Sequence, residues 1–298
     1  MPLEVRCFEP AMVGDIVAAY NRLTARAPLC YPITPEIFAE SVTAKSAFHP
    51  EGFFVARLDG KCAGLIHAME FEKAGRKEGS ICLYVAEERG ACRALLASAV
   101  AFLKERGAAR CHVMGNAPGA QAFYAGLHTG YEVCLWRGYY QSVLALEHAG
   151  FELTCHGFLM SLALDREPEQ VTPTIDVSLR VTRHPDAGSF YTKAVVEAFI
   201  GEEKVGNCGF YFLKRVSQHL GQGVGQITIS VKEQYRRRRI ASGLLSRAHR
   251  ELWALGARRV VLATNYELYP AIQLYEKTGY RKEIVDFYIY TGYFDEQP

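Results

Sequence analysis

The stretch QITISVKEQYRRRRIASGLLSRAHRELWALG, from Gln226 to Gly256, decides the fold of this protein. Its first residues alternate between apolar and polar side chains, which predicts a β-strand. After four arginines, apolar residues recur at every fourth position, which predicts a helix with one apolar face that ends at the glycine. The apolar positions are Ile227, Ile229 and Val231 in the strand and Ile240, Leu244, Ala248 and Leu252 in the helix.

Arg236 to Arg239 lie where the predicted helix begins, which is an unusual place for positive charge. The first turn of a helix has unpaired N–H groups and a partial positive charge, so acidic side chains are usual there. Four cations raise the local free energy unless an anion binds, and the small residues Ala241, Ser242 and Gly243 let a ligand approach the backbone. The loop therefore predicts a phosphate site. A solvated basic patch and a nucleic-acid-binding run are the alternatives.

The same stretch resembles the acyl-CoA-binding motif of the GNAT acyltransferases, which reads Gln/Arg-x-x-Gly-x-Gly/Ala. Arg236, Arg239 and Ala241 stand at the three motif positions, and Arg239 departs from the family pattern because glycine is usual there. This departure can narrow the loop. The resemblance implies that backbone N–H groups of the loop hold the CoA pyrophosphate and that the preceding strand pairs with the pantetheine arm. The implied coenzyme-binding residues are Ile229, Val231, Arg236, Arg237, Arg238, Arg239, Ile240, Ala241, Ser242 and Asn265.

Tyr275, in the predicted helix PAIQLYEKTGY, is the implied catalytic residue. It stands at the family's position for the tyrosine that protonates the sulfur of the departing CoA. A phenol has an ordinary pKa of about 10, so it remains protonated at neutral pH and can donate a proton. A core aromatic is the alternative, because Ala271, Leu274 and Tyr275 share one face of the helix.

Asn265 ends the strand before that helix, where the family often places a polar side chain near CoA; a turn residue is its alternative. The amine acceptor must lose a proton before it attacks the thioester, but the sequence does not single out a general base. A chain of water molecules is as compatible with the sequence as any side chain. The candidate side chains are Glu233, Glu197, Glu202, Glu203 and His184.

The two halves of the chain repeat the same pattern, which predicts two tandem GNAT-like domains. The spacing from Leu95 to Gly107 equals that from Leu244 to Gly256, and a strand pattern follows each glycine. We expect an α/β (α+β) fold in which each domain is a mixed, mostly antiparallel sheet flanked by helices. The polar segment between the domains contains two prolines and is the predicted linker. The expected domains are residues 1–165 and 175–298.

The first half differs from the second at both functional positions. Its loop is shorter and carries Glu87 and Glu88 in place of the arginines, and two carboxylates would repel a diphosphate. Leu146 stands where the second half has Tyr275. We therefore expect the first half to keep the fold without CoA binding or catalysis, and a variant CoA loop is the alternative. Its segment 118–137, rich in aromatic residues, is either a wall of the acceptor pocket or part of the core.

Composition argues against several classes of protein. Hydrophobic residues make up 49% of the 298 residues, which is sufficient for packed cores, and the net charge of +2 does not indicate nucleic acid or a membrane as partner. The nine cysteines are scattered without a CxxC pair, which favours free thiols in a reducing cytoplasm over disulfides or a zinc site. The histidines lack metal-ligand spacing, and no apolar run is long enough to span a bilayer.

The sequence therefore predicts a cytoplasmic N-acyltransferase that moves an acyl group, with acetyl favoured, from CoA to an amine. Attack on acetyl-CoA is expected to be direct, since no Cys or Ser lies in a nucleophile constellation. The expected acceptor is a small molecule with an amine, no metal is required, and an oligomer is compatible with the sequence. A non-catalytic acyl-CoA-binding sensor or scaffold is the first alternative. A nucleic-acid-binding protein that uses Arg236 to Arg239 is the second.

Overall fold

The structure is a computed structural model that describes residues 3–115, 118–184 and 188–294. The chain forms two compact units, of which unit 1 comprises Met1–His156 and Val285–Pro298 and unit 2 comprises Gly157–Ile284. Each unit contains a mixed, mostly antiparallel sheet with helices packed beside it. The α/β class predicted from the sequence is therefore confirmed.

The helices and strands follow the two predicted halves in chain order. The elements of the first half are β1 (Leu3–Cys7), α1 (Val13–Thr24), α2 (Pro35–Phe38), β2 (Phe53–Leu58), β3 (Lys61–Lys73), β4 (Arg76–Ala86), α3 (Arg89–Glu105), β5 (Arg110–Val113), α4 (Pro118–Tyr124), β6 (Leu135–Trp136), α5 (Tyr140–His148) and β7 (Glu152–Ala163). The elements of the second half are β8 (Ser178–Arg183), β9 (Tyr191–Ile200), β10 (Glu203–Leu213), α6 (Lys214–Leu220), β11 (Val224–Val231), α7 (Ile240–Ala254), β12 (Arg259–Asn265), α8 (Tyr269–Thr278) and β13 (Arg281–Tyr293).

The two sheets share one plan, with a parallel pair of strands near one end. In unit 1 the strand order is β1-β2-β3-β4-β5-β13, and β4 and β5 are parallel. In unit 2 the order is β8-β9-β10-β11-β12-β7, and β11 and β12 are parallel. A parallel pair needs a crossover connection, which α3 supplies in unit 1 and α7 in unit 2. The repeat seen in the sequence is thus also a repeat of topology.

In each unit the last strand of this order comes from the other half of the sequence. The end of β7 pairs with β12 in unit 2, from Gly157 opposite Asn265 to Ala163 opposite Arg259. The end of β13 pairs with β6 and β5 in unit 1. The units therefore differ from the predicted domains 1–165 and 175–298 in their last strands.

Local sequence explains how several elements begin and turn. Asp59 and Gly60 join β2 to β3 with φ values of 52° and 77°, the left-handed pair that a two-residue hairpin turn requires. α2 begins at Pro35, because the residue before a proline disfavours helical backbone. It continues as a π-helical turn over Ala39–Thr43.

The core of unit 2 lies between the sheet and the helices α7 and α8, and it encloses a histidine. His249 of α7 is 2% exposed, and its Nε2 atom lies 2.7 Å from the hydroxyl oxygen of Tyr280. Burial lowers the pKa of His249 to about 4, because the charged imidazolium would lose its hydration there. The side chain is therefore neutral in the folded protein at mildly acidic pH.

Unit 2 is expected to lose stability in mild acid because of this histidine. Below the ordinary pKa of about 6.5, His249 gains a proton in the unfolded chain but not in the folded one, so stability falls as pH falls from 6.5 towards 4. At pH 5.5 this loss is about 1.4 kcal/mol. Urea unfolding at pH 7.5 and 5.5 should show that His249→Gln loses about 1.4 kcal/mol less than wild type between the two pH values. Equal losses in the two proteins would contradict a neutral buried His249.

Candidate active site

Strands β11 and β12 pair for a short distance and then separate. Their parallel ladder runs from Val224 opposite Arg259 to Gln226 opposite Val261. Beyond that point β11 continues to Val231 with β10 on its other side, and β12 continues to Asn265 with β7 on its other side. The result is a gap, called the strand gap below, between residues 227–231 and residues 262–265. Backbone groups on the facing edges of such a gap are open to a ligand.

The loop between β11 and α7, residues 232–239, has an unusual backbone. After a 3₁₀ turn at Glu233–Tyr235, Arg237 and Arg239 adopt left-handed conformations with φ values of 63° and 57°. A left-handed conformation costs a residue with a Cβ atom about 1–2 kcal/mol. Arg239 stands at the motif position where glycine is usual, and it adopts the conformation that glycine reaches at lower cost. The departure from the motif therefore changes the residue but keeps the backbone shape that favours glycine.

This arginine loop ends at the N-terminus of α7, where it presents positive charge. Arg239 is the N-cap residue of α7, no side chain of the described residues caps the helix, and its first turn contains no acidic residue. Arg236 lies 3.7 Å from Glu233 across an exposed ion pair, and all four arginines are exposed. Uncapped N–H groups and four cations together make this end of α7 attractive to a phosphate group.

Two contacts anchor the arginine loop to the rest of unit 2. The hydroxyl of Tyr235 donates to Glu203 Oε2 at 2.7 Å, and Lys232 Nζ lies 2.9 Å from Glu203 Oε1. The hydrogen bond from Lys232, followed by that from Tyr235, lowers the pKa of Glu203. Both carboxylate oxygens are therefore engaged in anchoring the loop. A carboxylate that already accepts two hydrogen bonds and has a lowered pKa takes up a proton poorly, so Glu203 is a poor candidate for the general base.

Residues 165–174, called the connecting segment below, also hold the arginine loop in place. The backbone N–H and the hydroxyl of Thr174 both donate to the carbonyl oxygen of Arg238, each at 3.1 Å. Further along, the N–H of Val171 donates to Ser246 Oγ at 3.0 Å. A Cβ atom at Gly243 would lie 3.1 Å from Pro173, so the segment runs close along α7. The predicted linker is thus an ordered part of the loop's surroundings.

Tyr275 projects from α8 into the core of unit 2. It is 7% exposed and belongs to one hydrophobic cluster with Ile227 and Leu244, against which Ile229 and Val231 pack. Its ring centroid lies 5.8 Å from that of Tyr280 in an edge-to-face arrangement. The strand, the helix after the arginine loop and the implied catalytic tyrosine therefore meet in a single cluster.

Asn265 closes the turn between β12 and α8. Its Oδ1 atom accepts hydrogen bonds from the N–H groups of Glu267 at 3.1 Å and Leu268 at 3.0 Å. This is the turn role that was the alternative to coenzyme binding. A contact with CoA stays a prediction for Asn265, and its Nδ2 donor is the atom that would make it.

Thr264 is a residue of this region that the sequence patterns did not single out. It is 5% exposed, and its hydroxyl has no hydrogen-bond partner among the described residues. A threonine in a strand is ordinary, since its β-branched side chain suits a sheet. The signal lies in the buried, unpaired hydroxyl, which only the structure reveals.

Unit 1 has the same strand arrangement but a different loop. Its parallel ladder ends at Ile81 opposite Val113, so β4 also runs on past its partner. Residues 87–88 join β4 to α3, whereas residues 232–239 join the corresponding elements in unit 2. The N-cap of α3 is Glu88, and Glu87 pairs with Arg22 at 3.0 Å. Unit 1 therefore lacks the arginine loop and carries carboxylates in its place.

The aromatic segment 118–137 packs into unit 1. A Cβ atom at Gly119 would lie 2.7 Å from the sulfur of Cys82, the residue just beyond the end of the β4–β5 ladder. Phe123 and Tyr124 are each 1% exposed. The sequence left open whether this segment is a wall of the acceptor pocket or part of the core, and these two aromatic residues lie in the core. The segment therefore occupies the space beside the separated part of β4.

The described residues contain neither a metal-binding group nor a membrane-crossing helix. No three His, Cys, Asp or Glu side chains in the described part of the chain are grouped in a way that would hold a metal ion. Over the same residues, no helix has both the length and the apolar character that crossing a membrane requires.

Comparison with known proteins gives a family match to both halves. The model of the acetyltransferase (GNAT) family matches residues 19–128 and 158–280. A search of curated proteins gave no match.

Several solved structures resemble the whole chain. A GCN5-related N-acetyltransferase from Sphaerobacter thermophilus has 15% identity and a TM-score of 0.64, with 98% of this chain and 95% of that one covered. A tandem GNAT protein from the clavulanic acid biosynthesis pathway, solved without AcCoA, has 13% identity, a TM-score of 0.66 and full coverage of both chains. A glucosamine N-acetyltransferase region of a fungal multi-domain GH3 β-N-acetylglucosaminidase has 11% identity and a TM-score of 0.70, with 98% of this chain and 38% of that one covered. At such identities the likeness shows the fold.

Proposed function

The chain belongs to the acetyltransferase (GNAT) family, and from this premise we propose that unit 2 transfers an acyl group from acyl-CoA to an amine. The observation that carries the proposal is the arginine loop, whose four cations adjoin the uncapped N-terminus of α7. Unit 1 has Glu87 and Glu88 at the corresponding link, so we assign no transfer to it. Acetyl is the proposed acyl group, and Arg236 to Ser242 are the proposed diphosphate-binding residues.

The shape of unit 2 fits the chemical parts of acyl-CoA. A diphosphate needs donors and positive charge, which the N–H groups of Ile240, Ala241 and Ser242 and the four arginines provide. An arm with amide groups needs backbone partners, which residues 229–231 offer at the edge of the strand gap. The thioester supplies an acyl group that is already activated for transfer. These groups follow one another along the chain, from the edge of β11 through the arginine loop to the start of α7.

Tyr275 is the proposed donor to the sulfur that leaves. A phenol ordinarily has a pKa of about 10 and so has a proton to donate, and the Tyr275 side chain is 7% exposed in the core of unit 2. The cysteine of unit 2, Cys208, is fully buried, and burial raises the pKa of its thiol. A buried thiol that stays protonated is a poor nucleophile, so the amine is proposed to attack the acyl group directly.

The acceptor is proposed to lie on the face of the sheet that points away from α7. Alternation along the strands places Asn207, Tyr211 and Thr228 there, opposite to the apolar side chains of the core. A Cβ atom at Gly209 would lie 2.8 Å from Thr228 Oγ1 and 3.1 Å from the Tyr211 hydroxyl, so two hydroxyl groups converge over bare backbone. Such a polar surface suits a small amine that carries its own hydrogen-bonding groups.

The proposed function is tested by following thiol release from acetyl-CoA in the presence of a panel of amines. Amine-dependent release is the expected result. Tight CoA binding without release for any amine would favour the sensor or scaffold, and failure to bind CoA would overturn the proposal. Salt-dependent nucleic-acid binding that CoA does not compete with would favour the nucleic-acid alternative for the arginine loop.

Thr174→Val is expected to weaken CoA binding by about two- to five-fold, because it removes one of the two donors that hold the Arg238 carbonyl. The valine keeps the backbone N–H bond, so the loop is loosened and not released. Calorimetric titration with CoA measures the effect. Thr172→Val, at an exposed position of the same connecting segment, is the matched control and should bind as wild type. Equal affinities of the two variants would contradict an anchoring role for Thr174.

A further inference from the structure

The hydroxyl of Thr264 is buried in apolar surroundings without a partner among the residues that the structure describes. Val260 and Leu262 of the same strand belong to the core cluster, and strand alternation places Thr264 on their face. Opposite it on β7 stands Phe158, which is 3% exposed. The hydroxyl has thus left water without gaining a bond, which costs free energy unless something else supplies the partner.

The position of Thr264 indicates what that partner is. The last pair between β11 and β12 is Gln226 with Val261, and Thr264 lies about 10 Å further along β12 at a rise of about 3.3 Å per residue. It therefore belongs to one side of the strand gap, whose other side contains Ile229 and Val231. A ligand arm laid in this gap must pass Thr264.

Unit 1 provides an internal comparison. The equal spacing of the two halves places Gly115 at the position of Thr264, counted from Gly107 and Gly256 respectively. Gly115 has no hydroxyl, and its N–H donates to the carbonyl of Val133 in the aromatic segment. The half without the arginine loop thus also lacks the buried hydroxyl, so the two features occur together.

We propose that the Thr264 hydroxyl donates a hydrogen bond to a carbonyl oxygen of the pantetheine arm of acyl-CoA. This inference rests on the proposed function of unit 2 and adds a binding residue to it. The arm contains amide and thioester carbonyls, which are acceptors of the kind that the hydroxyl lacks. This hydrogen bond would fix the position of the pantetheine arm along the strand gap. It would thereby also fix the position of the thioester relative to Tyr275.

The test is Thr264→Val, which keeps the shape of the side chain and removes the hydroxyl. Without ligand, the variant is expected to melt about 2–4 °C higher than wild type, because an unpaired buried hydroxyl is replaced by a methyl group. Its dissociation constant for CoA should rise about 10-fold, equivalent to about 1.4 kcal/mol. The two effects have opposite signs, which a purely structural role of Thr264 would not produce. Thr264→Ser retains the hydroxyl and should bind CoA as wild type does.

A second ligand locates the effect on the arm. Adenosine 3′,5′-bisphosphate has nucleotide phosphates but no pantetheine, so Thr264→Val and wild type should bind it equally. A valine variant that binds CoA as tightly as wild type overturns the inference alone. A valine variant that melts lower without ligand also overturns it, because the hydroxyl would then be bonded to water in the free protein. Wild type that fails to bind CoA overturns the proposed function and this inference with it.

Discussion

Replacement of Tyr275 with phenylalanine is expected to lower kcat by about 10²- to 10⁴-fold, the range that removal of a positioned proton donor usually causes. Phenylalanine fills the same space in the core, where Tyr275 is 7% exposed, so the fold and the KM for acetyl-CoA should change little. The loss arises because the departing thiolate no longer receives a proton. Steady-state thiol release at saturating acetyl-CoA and amine measures kcat directly.

Tyr280→Phe is the matched control for this variant. Tyr280 is 1% exposed and lies in the same cluster, but its hydroxyl is engaged with His249 Nε2 at 2.7 Å. We expect its removal to lower stability and to leave kcat within about three-fold of wild type, since no proton transfer depends on it. A Tyr275→Phe variant whose kcat resembles that of Tyr280→Phe would show that Tyr275 is a core residue and that the sulfur is protonated by another group.

The fold was largely predictable because its determinants are local and repeated. The alternation of Ile227, Ile229 and Val231 and the period of the helix that follows are read within single elements. The equal spacing in the two halves then identified the order of elements twice. The pairing of β7 with β12 and of β13 with β5 was not predictable in this way, because the alternation within each strand is the same whichever partner it has. Only long-range pairing decides where such a strand ends.

The positive charge of the candidate site was predictable from the sequence, but the backbone conformation and the contacts that hold the arginine loop were not. The arginines are visible in the sequence, whereas the left-handed backbone of Arg237 has no signal there. The two bonds from Thr174 to the Arg238 carbonyl join residues far apart in the chain, so a polar segment with prolines could only be interpreted as a linker. Thr264 was missed for a related reason, since an unpaired hydroxyl is a property of its surroundings and not of its neighbours in sequence.

Replacement of Arg236, Arg237, Arg238 and Arg239 together by glutamine is expected to raise the dissociation constant for CoA by about 10²-fold. Each arginine can donate a charge-assisted hydrogen bond to a phosphate oxygen, and glutamine retains length and polarity but not charge. The N–H groups at the start of α7 remain, so binding should weaken and not vanish. Because exposed charges are screened by salt, the affinity of wild type should fall with ionic strength more steeply than that of the variant.

Arg239→Gly tests the effect of the loop's backbone conformation separately from the effect of its four charges. Arg239 has a φ of 57°, so glycine relieves strain, and the free protein is expected to melt about 2–4 °C higher. One of four cations is lost, and CoA affinity should stay within about five-fold of wild type because the left-handed backbone that aims the N–H groups is kept. If the four-fold glutamine variant bound CoA as wild type does, with the same salt dependence, the four arginine side chains would have no part in holding the diphosphate. The carboxylates Glu87 and Glu88 of unit 1 make the corresponding loop an unfavourable second location, so binding would then depend on the N–H groups at the start of α7.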